Sequence, residues 1–121
     1  MNRQKIRDFI YDEFSVRPEN LWASFPNYEI FRNERNKKWF GVIGDVDSKK
    51  LGIGKDGKTD LLVIRCDTMM IGSLLRGEGY LPAYHMNKTN WISVILDSDK
   101  PDPEEIKSLI RLSFEIIDSG K

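Results

Sequence analysis

Residues 80–96, YLPAYHMNKTNWISVIL, constrain the fold more than any other stretch because they predict a β-hairpin. The first arm, residues 80–86, carries the aromatic side chains of Tyr80 and Tyr84, and the second arm, residues 91–96, is almost wholly apolar. The four residues between them, NKTN, are typical of a tight turn, since Asn tolerates positive φ and hydrogen-bonds its own backbone. The rest of the chain is expected to pair with this hairpin or to cover it.

The chain before the hairpin predicts one amphipathic helix and then a meander of short strands. Apolar residues recur with the helical period over residues 2–14, and Asn2 can cap that helix. The predicted strands are residues 28–32, 39–43, 50–53 and 61–65. In the second of them, Trp39, Gly41 and Ile43 are expected on one face of the sheet. Because the polar turns are too short for a crossover, the sheet should be antiparallel.

Two further helices are expected to pack on this sheet. Asp67 can cap a short helix over residues 68–76, with Met69 and Met70 filling gaps in the core. Asp102 can cap a longer helix that begins with Pro103 and carries Glu105 three residues after the cap. Its apolar face is expected to consist of Ile106, Leu109, Ile110 and Ile117. The prediction is an α+β, two-layer fold with an antiparallel sheet of about five strands, in a single domain over residues 1–121.

Length and composition exclude several classes of protein. The chain has 121 residues, of which 40% are apolar and 31% are charged, as in an ordinary soluble globule. No apolar run approaches the roughly 20 residues of a membrane span, and none follows the N-terminus as in a signal peptide. The lone Cys66 cannot form an internal disulfide. We therefore expect a cytoplasmic protein without membrane contact.

Charge is distributed unevenly along the chain although the net charge is zero. Residues 32–58 contain eight Lys or Arg and four acids, whereas residues 97–121 contain four bases and seven acids. Two interpretations are open for the basic middle of the chain. Lysine-rich turns often keep sheet edges soluble, and they can also form a binding surface.

Residues 52–59, GIGKDGKT, match the phosphate-binding pattern G-x-x-x-x-G-K-[ST] from Gly52 to Thr59. That loop binds phosphate only when it opens a helix, whose N-terminal amides hold the anion. The residues that follow, DLLVI, are β-prone, so a turn between strands is expected and no nucleotide is expected to bind.

Candidate catalytic and metal-binding residues are few. His85 is the sole histidine, and one His with a distant Cys66 does not make a metal site. No Ser or Cys has the setting of an activated nucleophile. We therefore expect no catalytic residues, no metal and no cofactor, and a non-enzymatic protein. For His85 the open alternatives are a packed or surface side chain and a contact with an anion.

The hairpin also carries a resemblance to a known family. Residues 82–88, PAYHMNK, followed by WISV at residues 91–94, resemble the signature of the MmcQ/YjbR family. The sequence NKKWF at residues 36–40 is similar to the start of a strand in that family, and Phe25 with residues 28–31 resembles the aromatic segment before it. The resemblance extends over nearly the whole chain. It implies a small bacterial protein with a two-layer fold, similar to that of type III secretion chaperones and commonly described as DNA-binding.

Three functional hypotheses follow, in this order. The first is DNA binding through phosphate contacts with little sequence preference, because lysine is a point charge suited to phosphate. Its candidate residues are Lys37, Lys38, Trp39, Lys49, Lys50, His85, Lys88 and Trp91. The second hypothesis is a protein-interaction module that takes a partner protein or a second copy of itself. The third is a small-ligand binder around Trp22, Tyr84, His85 and Trp91.

Overall fold

In a computed structural model, which describes residues 1–120, five strands form one sheet and four helices accompany it. The elements in chain order are α1 Arg3–Phe14, β1 Glu29–Arg32, β2 Trp39–Asp47, α2 Ser48–Leu51, β3 Lys58–Arg65, α3 Thr68–Leu74, β4 Tyr80–Pro82, β5 Trp91–Ile95 and α4 Pro103–Asp118. The sheet order is β1-β2-β3-β5-β4, and every neighbouring pair is antiparallel. The predicted α+β class and five-stranded antiparallel sheet are confirmed. No helix within residues 1–120 is long and apolar enough to cross a membrane.

The helix caps lie where the sequence predicts them. Asn2 accepts a hydrogen bond from the Lys5 amide, Asp67 from the Met69 amide, and Asp102 from the Glu105 amide. Each carboxylate or amide oxygen satisfies one of the N–H groups that a helix leaves free at its start. The predicted apolar face of α4 is confirmed, since Ile106, Leu109, Ile110 and Ile117 are all buried.

The sheet buries side chains on both of its faces. On one face, α1, α3 and α4 cover a large core that includes Ile6, Phe40, Leu62 and Ile110. On the other face, the smaller cluster of Ile30, Val42, Val63, Ala83 and Trp91 is covered by loops. The loops that cover this second cluster leave a cavity beside it.

Because of a β-bulge, the side chains of β2 are distributed over the two faces of the sheet differently from the sequence prediction. Phe31 pairs with Gly41 and Arg32 with Trp39, so Phe40 is an extra residue. As a result, Phe40 and Ile43 lie in the helix-covered core, whereas Trp39 joins Val42 on the opposite face. The expected grouping of Trp39 with Gly41 and Ile43 is therefore wrong.

A buried serine of α4 completes the sheet at this bulge. The ladder between β2 and β3 stops at the pair Gly41 and Ile64. One step further on, the Ser113 hydroxyl donates to the Phe40 carbonyl at 2.6 Å and accepts from the Arg65 amide at 3.0 Å. The hydroxyl thus joins two strands and a helix inside the core, where an apolar residue would leave the Phe40 carbonyl without this donor.

Three further predictions from the sequence are wrong. Strand β2 continues to Asp47 instead of turning at Gly44, and residues 50–53 are not a strand. Asp47 caps the short helix α2 by accepting from the Lys49 amide, and Gly52 ends it in the left-handed conformation with φ 66°. In α3, Met69 is 88% exposed, so it does not fill the core.

The first arm of the hairpin is also shorter than predicted. Only Tyr80, Leu81 and Pro82 pair with β5, and residues 83–90 leave the sheet. Pro82 has no N–H for the ladder. The Tyr84 amide donates instead to the Ser93 hydroxyl at 3.0 Å, and His85 adopts a positive φ of 59°. The loop that results is the part of the hairpin that reaches over the sheet.

Candidate ligand-binding site

A cavity of about 370 Å³ lies on the sheet face opposite the core that α1, α3 and α4 cover. Its floor consists of side chains that alternate along two adjacent strands, namely Val42, Gly44 and Val46 of β2 with Leu61 and Val63 of β3. The pairs Val42 with Val63 and Gly44 with Leu61 are in register, so the floor is a continuous apolar surface across two strands.

Aromatic side chains from residues 22–39 form the first wall. Trp22 packs edge-on against both Tyr28 and Trp39, with ring centroids 6.2 and 5.9 Å apart. Phe25 lies against Tyr28 at 5.4 Å. The side-chain amide of Asn20 closes the loop over residues 20–28 by donating to the carbonyls of Pro26 and Tyr28. Trp22 and Phe25 remain 39% and 55% exposed, so the wall is in contact with solvent.

The second wall is the loop that leaves the hairpin. Tyr84, His85 and Met86 line the cavity, and the rings of Tyr84 and His85 pack edge to face at 4.1 Å. The buried Ala83 and the hydrogen bond from the Tyr84 amide to Ser93 attach this loop to the sheet. Both walls are thus attached to the sheet that carries the floor, the first through β1 and β2 and the second through β5.

Polar groups in the lining are few. They are the hydroxyls of Tyr28 and Tyr84, the indole N–H groups of Trp22 and Trp39, and the imidazole of His85. The pKa of Tyr28 is raised by burial first, and further by the proximity of Tyr84 and Asp45. The Tyr28 phenol therefore stays protonated at physiological pH and can donate a hydrogen bond.

The structure brings together most of the residues that the third hypothesis assigned to a small-ligand site. Trp22, Tyr84 and His85 all line the cavity. Trp91 does not line it, and instead packs in the buried cluster beside Val63 and Ala83, 8% exposed. Of the open alternatives for His85, the structure shows an exposed side chain that packs on Tyr84.

The lysines proposed for DNA contact are divided between the two ends of the sheet. Lys37, Lys38 and Lys88 lie where β2 begins and β4 ends, whereas Lys49 and Lys50 lie in α2 at the far end of β2. Strand β2 has nine residues, which corresponds to about 27 Å. Lys38 also donates to the Gly120 carbonyl after α4, at 2.9 Å. Trp39 and His85 line the cavity, and Trp39 begins β2 at the same end as Lys37 and Lys38.

The phosphate-loop match has no helix after it. Gly52 ends α2, and Thr59 lies in β3, where its buried hydroxyl is 2.6 Å from that of Ser48. The sequence predicts a turn between two strands; the strand after it is confirmed, whereas the element before it is helix α2. The helical N-terminus that would hold phosphate is replaced by β3. Within residues 1–120, no group of three His, Cys, Asp or Glu side chains is arranged to hold a metal ion.

The floor of the cavity and part of its first wall were not identified as functional candidates from the sequence. Tyr28, Gly44 and Val46 have no chemical motif. A signal for them exists, because residues 39–46, WFGVIGDV, and residues 61–64, LLVI, are apolar with little alternation. Such runs indicate strands that are covered on both faces. The second covered face is the one that carries the cavity.

The chain is thus a small α+β protein with an open antiparallel sheet, helices on one face of the sheet and an aromatic cavity on the other. The family model YjbR matches residues 15–116, and the chain belongs to this family. It is 38% identical over 117 residues to the uncharacterized protein YyaQ of Bacillus subtilis (strain 168), covering 96% of this chain and 98% of that one.

Solved structures show the same fold. A crystal structure of a protein from Pseudomonas syringae is 37% identical to this chain, with a TM-score of 0.92, and the match covers 96% of this chain and 98% of that one. A crystal structure of a protein from Deinococcus radiodurans has a TM-score of 0.70 at 19% identity, covering 94% and 76% of the two chains. The latter similarity concerns the fold alone.

Proposed function

We propose that this protein binds a small apolar organic molecule in the cavity on the open face of its sheet. The observation that carries the proposal is the lining, in which five aromatic rings and a histidine surround an aliphatic floor. A volume of about 370 Å³ lies at the small end of the range of protein ligand sites, which are mostly apolar and concave.

Binding rather than catalysis is part of the proposal. Among residues 1–120, no side chain with a carboxylate or thiol, and no serine or lysine, lines the cavity. His85 therefore has no nucleophile or orienting carboxylate in the cavity with which to act as a general base. Walls attached to strands on both sides support a site that exists before the ligand arrives.

The test is a calorimetric titration with naphthalene, an uncharged apolar probe, followed by mapping of methyl chemical shifts. We expect saturable one-site binding with a Kd on the order of 10–100 μM. The shifts should concentrate at Val42 and Val63. Trp22→Ala should weaken binding at least about fivefold, since it removes one aromatic wall. Met69→Ala, in an exposed residue of α3, is the matched control. Unsaturable binding, or shifts spread over the whole protein, would refute the proposal.

Phosphate contact with DNA is the second candidate function, and the positions of Lys37 and Lys88 support it. Both side chains are exposed at the same end of the sheet. Their loops are attached to β2 and β5, which are two strand spacings apart, or about 10 Å. A stretch of DNA backbone could contact both loops at once.

Fluorescence anisotropy with a labelled random duplex, at low and at physiological salt, tests this second candidate. Lys37→Ala with Lys88→Ala should lower the salt slope by about two, one for each lost phosphate contact. Lys49→Ala with Lys50→Ala, at the opposite end of the sheet, should leave the slope unchanged. Absence of binding at low salt would eliminate DNA as a partner.

A further inference from the structure

All the polar side chains among the lining residues can donate a hydrogen bond, although the phenols and the imidazole can also accept one. Indole N–H groups can only donate, and a phenol with a protonated oxygen can donate one hydrogen. The lining supplies two indoles, Trp22 and Trp39, and two phenols, Tyr28 and Tyr84. It contains no Asp, Glu, Asn or Gln, whose side-chain oxygens would accept from a ligand.

These donors are not used inside the protein. Among residues 1–120, the hydroxyls of Tyr28 and Tyr84 and the indole nitrogens of Trp22 and Trp39 have no hydrogen-bond partner. Tyr and Trp side chains with partial burial usually find such a partner. By contrast, the hydroxyl of Tyr80, on the other face of the sheet, donates to Glu105. A ligand that presents an acceptor to the cavity would satisfy groups that the fold leaves available.

The charge and shape of the lining restrict the ligand further. No Lys or Arg among residues 1–120 lines the cavity, so an anionic ligand would lose its hydration without gaining a cation from them. The floor is an apolar surface of two paired strands, and both walls carry aromatic side chains. Flat rings fit such a slot and pack against aromatic walls in edge-to-face or offset arrangements.

We infer that the ligand of this cavity is a flat, uncharged aromatic molecule that carries a carbonyl oxygen, to which Tyr28 and Tyr84 donate. The inference rests on the proposed binding function and names the chemical class of its ligand. The raised pKa of Tyr28 supports it, because burial and the neighbouring Tyr84 keep that phenol protonated. The carbonyl oxygen takes the place of water at these donors, while the aromatic rings of the ligand fill the apolar volume.

The experiment compares three probes of nearly the same shape by calorimetry. They are 2-acetylnaphthalene, with a carbonyl acceptor, 2-isopropenylnaphthalene, its hydrocarbon isostere, and 2-naphthoate, its anionic counterpart. We expect 2-acetylnaphthalene to bind about 3–10-fold more tightly than the hydrocarbon, the size of one net hydrogen bond. We expect 2-naphthoate to bind most weakly of the three.

Two variants locate the effect. Tyr28→Phe and Tyr84→Phe each keep the ring and remove the hydroxyl, so they should reduce the preference for 2-acetylnaphthalene over the hydrocarbon toward one. The readout is the ratio of the two affinities, because a change in the packing of the ring itself would alter both affinities in parallel. Tyr11→Phe, in an exposed tyrosine of α1 that does not line the cavity, is the matched control.

The outcomes separate this inference from the proposed function. Equal binding of 2-acetylnaphthalene and its hydrocarbon isostere would overturn the carbonyl ligand and leave apolar binding intact. If 2-naphthoate binds most tightly of the three, the inference that the ligand is uncharged is wrong. If none of the three probes binds, and naphthalene does not bind either, the proposed function itself is wrong.

Discussion

The ring of Tyr28 lies directly on the backbone of Gly44. A methyl group added at Gly44 would be 2.8 Å from both Cε2 and Cζ of that ring, closer than carbon atoms approach each other. Gly44 thus allows the first wall of the cavity to rest on its floor, and a side chain at this position would push the wall away. The contact links a glycine in the middle of a strand to the shape of the proposed ligand site.

Gly44→Ala is therefore expected to destabilise the protein by about 1–3 kcal/mol, as over-packing does, and to weaken probe binding. Gly41→Ala, in the same strand, is the matched control. Its added methyl group would make only ordinary contacts, at 3.6 Å or more from Phe31, Ile64 and Leu62. Urea denaturation of both variants measures the difference, and equal stability of the two would contradict the role of Gly44.

Ser113→Ala should lower the free energy of unfolding by about 1–3 kcal/mol. The change removes the hydroxyl that donates to the Phe40 carbonyl in a site that is fully buried. Ser108→Ala, on the exposed side of the same helix, controls for helix propensity and should be neutral or slightly stabilising. A loss in Ser113→Ala no greater than in Ser108→Ala, by urea denaturation, would refute the bridging role of the hydroxyl.

Stability should depend on pH through Glu29, which joins β1 to α1. Its carboxylate accepts from Arg7 at 2.5 and 2.6 Å and from Arg3 at 2.7 Å. Burial alone raises the pKa of Glu29, but the hydrogen bonds from Arg7 and then Arg3 outweigh it, so the pKa is lowered from 4.5. A lowered pKa stabilises the folded state above the unfolded value, and that contribution is lost as the pH falls below about 4.5.

Glu29→Gln is expected to cost about 1–3 kcal/mol at pH 7, since both guanidinium groups keep some contact with water. The difference from the wild type should shrink between pH 5 and pH 3, where the wild-type carboxylate becomes protonated. Urea midpoints at several pH values measure this. Glu78→Gln, at an exposed position, should follow the wild-type curve, and a constant difference for Glu29→Gln would contradict the linkage.

Ser93→Ala should loosen the second wall of the cavity. Ser93 is fully buried in β5, and its hydroxyl accepts from the Tyr84 amide at 3.0 Å. We expect a loss of stability of about 1–3 kcal/mol and weaker binding of naphthalene, because the loop over residues 83–86 is no longer fixed. Ser73→Ala, exposed on α3, is the control. Unchanged binding in a destabilised Ser93→Ala would show that the wall does not depend on this contact.

The sequence was most informative where local chemistry decides the structure. The caps at Asn2, Asp67 and Asp102 act within three residues, and the apolar face of α4 follows one period along one helix. Such signals lie within one segment and need no partner from elsewhere. The resemblance of the hairpin to the YjbR family likewise depended on consecutive residues, and the family match confirms it.

The wrong predictions concern features that are determined by contacts between segments far apart in the chain. An alternating pattern cannot reveal the bulge at Phe40, which Ser113 stabilises from a helix 73 residues away. The Gly-Asp-Val-Asp sequence of residues 44–47 is typical of a turn, yet pairing with β3 keeps it in the sheet. Met69 fits the apolar pattern of α3, but no element of residues 1–120 covers it.

The sequence by itself determined the fold class, the helices α1, α3 and α4, and the membership of the hairpin in one antiparallel sheet, because propensity, capping and periodicity act locally. Only the tertiary structure decided which side chains form the cavity. Trp22, Gly44 and Tyr84 are far apart in the chain, and three separate segments bring them to one face of the sheet. Their proximity results from strand order and register, which are properties of the whole sheet and of no single segment.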